Sequence, residues 1–233
     1  MIADENLNDW LFWVGTRWKI DQMADDLVLY TNPMSRGRVA RWMLEEVGQP
    51  YRAEILEYAR SMKAPEYLAI NPMGKVPALR HGDTIVTEGA AICAYLADVF
   101  PEAGLAPLPG SRLRGPYYRW MFFAAGPIEA ANTDKALGVA VRPEQARMVG
   151  YGTREQSLAA VEDQLNRSEY IAGDRFTAAD VYVGSHIGFG MMFGTIDKRE
   201  AFERYWNLLS ARPAAQRARE VDDKLVAEMR KAG

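Results

Sequence analysis

Residues 71–79 read NPMGKVPAL. Two prolines and a glycine in so short a span break regular structure, yet Val76, Ala78 and Leu79 have the character of a strand about to begin. A proline is tolerated at the mouth of a strand only on an edge or at the first position, because it brings no N–H to the ladder. X-Pro bonds are also where a cis peptide is accessible, the trans preference being only ~0.5–1 kcal/mol. Two readings follow. A trans proline simply marks an edge; a cis Val76-Pro77 bond turns the N–H and C=O of Val76 outward, towards an extended peptide ligand.

Upstream, LVLY (27–30) is a short run of strand formers closed by the breaker TNPMS. RGRVARWMLEEV (36–47) places Val39, Trp42, Met43 and Val47 on one helical face, with Gly48 as the stop. YRAEIL (51–56) is a second strand, and a helix between two strands predicts a right-handed parallel β-α-β unit. KAPEYLAI (63–70) is a short helix with Pro65 in its first turn. Downstream, PALR and TIV flank His81-Gly82-Asp83, a hairpin turn. EGAAICAYLADVF (88–100) is a helix whose small residues suit packing on a sheet.

A small mixed sheet with helices on its faces is thus complete by about residue 100. PEAGLAPLPGS (101–111) carries three prolines and no period. Beyond it the chain reads as helical: from 112, around 144–167, over 178–193 and over 199–229. The expected organisation is an N-terminal extension (1–25), an α/β domain (26–102), a linker (103–111) and an all-α domain (112–233).

The 233-residue chain has a formal net charge of −3 with dispersed Lys and Arg, which argues against nucleic acid as a partner. The single cysteine, Cys93, excludes an intramolecular disulfide framework and fits a reducing, cytoplasmic setting. No apolar run approaches 18 residues, so no membrane span is expected. The first 25 residues lack the basic start, apolar centre and cleavage site of a secretory signal. Either Met23 is the true start, or Trp10, Phe12, Trp13 and Trp18 form an extra packing helix.

Several separated segments, in order, resemble the glutathione S-transferases of bacterial type. NPMGKVPAL resembles their glutathione-site turn, and LYTNPMSRGRVARWMLEEVGQPYR their first strand, active-site loop and first helix. TEGAAICAYL resembles the start of their third helix, YIAGDRFTAADV a late capping motif, and ARPAAQRARE a segment near their C-terminus. The likeness covers about residues 27–220. It implies a thioredoxin-like N-terminal domain that binds glutathione and an all-α domain that offers an apolar second-substrate pocket. It also implies a cis Val76-Pro77 bond, with Val76 pairing by backbone with the cysteinyl part of glutathione.

Under the same resemblance Lys75 would sit near the glycine carboxylate of glutathione, and Glu88 would accept from its γ-glutamyl ammonium group. Each has a plainer reading, Lys75 as a solvated lysine and Glu88 as an acid complementing a helix dipole. Where the family usually has Ser or Thr after that acid, this chain has Gly89, so only a backbone N–H remains for the γ-glutamyl carboxylate.

The chemistry requires a glutathione thiolate, whereas a free cysteine thiol titrates near about 8.5. A hydroxyl bonded to sulfur near a helix N-terminus favours the thiolate. Ser35, just ahead of the first helix, is the first candidate, although serine there is also a helix cap. Tyr30, at the end of the first strand, is the second, with strand packing as its alternative. Thr31 and Asn32 lie between them and could also donate. Tyr117, Trp120 and Met121 are the candidates for the second-substrate pocket, and Gly126-Pro127 should kink their helix and open a cleft. FTAAD (176–180) is a capping-box start with a structural role.

Other chemistries find no support. His81, His186 and Cys93 do not make a metal cluster, so no metal cofactor is expected. There is no G-x-S-x-G elbow, GFGMMFG fails the dinucleotide spacing and reads as close helix packing, and no C-x-x-C pair is present. Cys93, on the small-residue face of a helix, reads as buried and inert. The expected function is a detoxifying transferase that conjugates glutathione, as co-substrate, to hydrophobic electrophiles, and the resemblance implies a homodimer. A non-catalytic glutathione-binding scaffold and a glutathione-dependent isomerase or dehalogenase are the alternatives.

Overall fold

The computed structural model describes residues 27–232; the two readings of residues 1–25 fall outside them. A four-stranded sheet in the order β2-β1-β3-β4 is built from β1 (Leu27–Thr31), β2 (Arg52–Ile55), β3 (Ala78–His81) and β4 (Thr84–Thr87). β1 and β2 run parallel, joined through α1 (Gly37–Val47), as the β-α-β reading requires. β3 is antiparallel to β1, and β4 to β3, around the hairpin at Gly82.

The period of two along β1 separates the sheet faces. Leu27 and Leu29 join one core with Leu79 and residues from α1 and α3 (Gly89–Val99). Tyr30 turns the other way, packing on a second cluster with Met62, Tyr67 and Ala78 beside the short helix α2 (Pro65–Leu68). The predicted face of α1 is buried through Val39, Trp42, Met43 and Val47, and Gly48 ends the helix with φ of 75°. That left-handed conformation suits glycine and lets its N–H bond the carbonyl of Leu44.

The remainder is helical. The stretch from 112 forms α4 (Arg114–Phe123), a π-helical turn (Ala124–Ile128) and α5 (Glu129–Leu137). Pro127 lies in that turn, and its missing N–H accounts for the irregularity. Two expected helical stretches are divided. Residues 143–148 make a 3₁₀ segment, and Gly150 to Gly152 interrupt it before Thr153 caps α6 (Arg154–Leu165). Likewise α8 (Glu200–Ser210) stops before Pro213, which opens α9 (Pro213–Ala232) at a position where its lack of an N–H costs nothing.

The central helix of this half is α7 (Ala178–Phe193), buried along most of its length. Thr177 and Asp180 form its capping box, as the sequence predicts. Gly188 admits the ring of Trp206 from α8: a Cβ there would lie 2.6 Å from the indole. That is the close helix packing inferred for GFGMMFG.

The last helix returns to the first. Arg38 bonds Asp223 at 2.7 Å, Arg41 bonds Asp222 at 2.8 Å, and Arg212 meets both carboxylate oxygens of Glu46 at 2.7 Å. The helical half is thereby fastened to the side of α1 that faces away from the sheet.

Candidate functional site

Three strands end on one level. Tyr30 of β1 pairs with Ala78 of β3, and Ala78 pairs with Thr87 of β4. The segments just beyond that rung are the 31–36 loop, the Val76-Pro77 turn and Glu88-Gly89. Sheet register alone therefore gathers most of the candidate residues at one end of the sheet.

The Val76-Pro77 bond is cis. The turn that carries it is bonded from several sides. Tyr67 donates its hydroxyl to the carbonyl of Lys75 at 2.6 Å, and Asn71 Nδ2 donates to the same oxygen at 2.8 Å. Lys63 Nζ donates to the carbonyls of Met73 and Gly74 at 3.1 and 2.9 Å. Val76 stands outside the β ladder, half-buried, while the Lys75 side chain is exposed and Pro77 is buried. Pinned carbonyls and a backbone edge outside the ladder are what strand-like pairing with an extended ligand requires.

Glu88 is exposed and has a positive φ of 67°, unusual for a residue with a Cβ. Such strain persists where the surroundings enforce it and is concentrated at binding sites. The residue stands at the N-cap of α3 with no side-chain cap bond, so its carboxylate is not spent on the helix. Gly89 opens the helix, half-buried.

Ser35 Oγ donates to the carbonyl of Asn32 at 2.7 Å and accepts from the N–H of Gly37 at 2.9 Å. The hydroxyl oxygen is thus held at the N-terminus of α1, where the helix dipole favours negative charge. Asn32 is buried: its Nδ2 donates to the carbonyl of Leu56, and its Oδ1 accepts from the N–H of Met34. Thr31 is buried, its Oγ1 has no hydrogen-bond partner among the described residues, and a Cβ at Gly37 would collide with that oxygen. The ring of Tyr30 is directed elsewhere, 5.7 Å from the ring of Tyr67 in the second cluster. Of the two hydroxyl candidates, only Ser35 stands at the helix N-terminus.

Tyr117, Trp120 and Met121 are core residues, 0, 1 and 2% exposed. This corrects their expected place on an accessible pocket wall. On a helix lying on a core, the bulkiest apolar side chains turn inward; the outward positions of α4 hold Tyr118 and Phe122 instead.

A polar cluster crosses between the two halves beside Ser35. Arg36, exposed at the N-terminus of α1, is ion-paired with Glu129 at the start of α5. Glu129 Oε2 lies 3.5 Å from Nδ1 of His186 on α7. The His186 ring stands edge-on to Tyr182, one turn earlier, with centroids 4.8 Å apart. Burial, with Arg36 nearby, lowers the His186 pKa to about 4, so the ring is neutral near pH 7 and the Glu129 contact is not an ion pair there. Burial also raises the Tyr182 hydroxyl above its ordinary range.

Little in the local pattern points to this cluster, because its members stand at positions 36, 129, 182 and 186 of the chain. The visible signals were the Gly126-Pro127 break just before Glu129 and the helical spacing of Tyr182 and His186. Cys93, as expected, is fully buried, and burial raises its thiol to about 12. Among the described residues no three His, Cys, Asp or Glu side chains group as a metal site, and no helix is long and apolar enough to cross a membrane.

A thioredoxin-like sheet domain joined to an all-α half, with a cis-proline turn facing a helix N-terminus, defines the class. Residues 34–99 match the family model of the glutathione S-transferase N-terminal domain. Glutathione S-transferase 3 of Zea mays is 28% identical over 208 residues, covering 82% of this chain and 92% of the relative. Glutathione S-transferase GstA of Escherichia coli O157:H7 is 35% identical over 119 residues, covering 51% and 58%. A sphingomonad glutathione S-transferase solved with glutathione superposes with a TM-score of 0.71 at 27% identity, over 84% of this chain and 98% of that one. A glutathione transferase from Methylococcus capsulatus gives 0.70 at 29% identity, over the same shares. The chain is a member of the glutathione S-transferase family.

Proposed function

We propose that the protein is a glutathione transferase whose thiolate is held by Ser35 at the N-terminus of α1. The observation that carries this reading is the position of the Ser35 hydroxyl, bonded to the Gly37 N–H at 2.9 Å, at the sheet end that also presents Val76 and Glu88. Glutathione lies along the cis-proline turn. Its cysteinyl backbone pairs with Val76, its glycine carboxylate meets Lys75, and its γ-glutamyl ammonium meets Glu88. The Ser35 proton turns from the Asn32 carbonyl to sulfur, and with the helix dipole it favours the ionised thiol.

The thiolate then attacks an electrophilic carbon held beside it, and the rate comes largely from that proximity. The domain division at the 103–111 linker, a homodimer, a cytoplasmic setting and a role in detoxification belong to this proposal. They are supported by the family membership and by the single buried cysteine.

The test is conjugation of glutathione to a generic aromatic halide. Ser35→Ala is expected to lower kcat/KM by about a hundredfold, on the scale of losing one transition-state hydrogen bond. Tyr30→Phe is expected to stay within about twofold, since Tyr30 keeps its ring packing without the hydroxyl. Wild-type binding of glutathione without turnover on any electrophile tried would favour the scaffold reading instead.

A further inference from the structure

The carbonyls of the loop that leads into α1 are taken by side chains. The Asn32 carbonyl accepts from Ser35 Oγ at 2.7 Å, the Pro33 carbonyl from Arg38 Nε at 2.6 Å, and the Met34 carbonyl from the Tyr58 hydroxyl at 3.3 Å. The Arg38 bond is the shortest of the three, and the positive charge of its donor strengthens it further. Pro33, which receives it, is buried two residues ahead of Ser35.

The same guanidinium reaches out of the loop to the last helix. Its Nη2 donates to Asp223 Oδ1 of α9 at 2.7 Å, while the adjoining Asp222 takes Arg41, one turn further along α1. Two consecutive carboxylates of α9 thus set where Arg38 stands, and Arg38 sets where the Pro33 carbonyl stands. The Arg38 side chain is 24% exposed and that of Asp223 58%, so water screens the pair and it contributes little to stability. Its significance lies in what the fork connects, a helix of the helical half on one side and the Ser35 loop on the other.

In the reaction proposed above, the Ser35 hydroxyl turns to sulfur and gives up the Asn32 carbonyl, losing one of the bonds that shape the loop. The Ser35 N–H bond to that carbonyl, at 3.1 Å, and the Arg38 bond to Pro33 remain. We propose that Arg38 is a positioning residue: held by Asp223, it fixes the Pro33 carbonyl and so keeps the Ser35 hydroxyl on the glutathione sulfur. The inference rests on the glutathione reading above. It gives the last helix, through one carboxylate, a hold on the loop that carries Ser35.

The experiment measures, on the full chain, turnover of the aromatic halide and the pH titration of bound glutathione, followed by the ultraviolet absorbance of its thiolate. Arg38→Met keeps a long apolar stem and removes the fork. It should lower kcat about tenfold, leave KM for glutathione within about twofold, and raise the midpoint of thiolate formation by about one pH unit. Arg38→Lys, which keeps the charge without the fork, should fall between the two.

Asp223→Asn separates position from charge. By charge alone, losing this carboxylate would lower the midpoint; loosening Arg38 requires the midpoint to rise and kcat to fall, by about threefold, with no further loss in the Arg38→Met background. An unchanged or lowered midpoint in Asp223→Asn overturns the inference while leaving the glutathione reading intact, and so does a wild-type midpoint in Arg38→Met. Should Arg38→Met fail to fold, Asp223→Asn decides alone, since its side chain is largely in water. A wild-type midpoint in Ser35→Ala would overturn the glutathione reading and the inference with it.

Discussion

Arg41 Nε lies 2.8 Å from Asp222 Oδ1, joining α1 to α9 with both side chains almost wholly buried. The guanidinium also donates to the Tyr51 hydroxyl at 3.1 Å, while its second terminal nitrogen and Asp222 Oδ2 find no partner among the described residues. Burying two charges costs much of what their attraction returns, so the pair contributes little net stability intact. Removing one partner is different. Asp222→Ala strands a buried guanidinium and should cost about 3–5 kcal/mol in urea unfolding, whereas Arg41→Met with Asp222→Leu should cost markedly less.

Asp180 anchors the start of α7. Its carboxylate accepts from the N–H groups of Ile171 and Thr177 at 2.7 and 2.8 Å and from the Tyr205 hydroxyl at 2.8 Å. Asp180→Ala leaves several buried donors unpaired at about 1–3 kcal/mol each, against about 1 kcal/mol for the Thr177→Ala cap alone. Thermal and denaturant unfolding should rank the two variants in that order.

His186 makes stability depend on pH. Its folded pKa is about 4 against an ordinary 6.5, so between those values the unfolded chain binds the extra proton. Its contribution is complete above pH 6.5 and is lost as pH falls towards 4, by at most about 1.4 kcal/mol per unit. Asp180, raised to about 6 chiefly by burial, slopes the opposite way between about 3.8 and 6, so the wild-type profile partly cancels. The difference between wild type and His186→Gln isolates the histidine. The variant's deficit at pH 7 should shrink steadily towards pH 4.

Gly74 secures the cis-proline turn. Its φ is +57°, and a Cβ would lie 2.7 Å from both Lys63 Nζ and the Met62 carbonyl. Gly74→Ala should therefore displace Lys63 from the Met73 and Gly74 carbonyls and destabilise the turn by about 1–3 kcal/mol. Glutathione affinity should fall with it, while far-ultraviolet circular dichroism stays close to wild type.

Local patterns determined much of this protein. The alternation in LVLYT, the face formed by Val39, Trp42, Met43 and Val47, the capping box at Thr177 and the turn NPMGKVPAL each involve residues a few positions apart, so their geometry follows from the chain itself. Sheet register then placed Ser35, Val76 and Glu88 at one end. Which hydroxyl faces the helix N-terminus was beyond the sequence, because Tyr30 and Ser35 differ in the sheet face they address. The burial of Tyr117, Trp120 and Met121 was likewise decided by how α4 lies on α7, which its composition does not encode. Arg36, Glu129, His186 and Tyr182 met only when the two halves packed together, and with them came the polar wall beside Ser35. Short-range pattern sets elements and turns; charge and hydrogen-bonding partners far apart in the chain are chosen by packing alone.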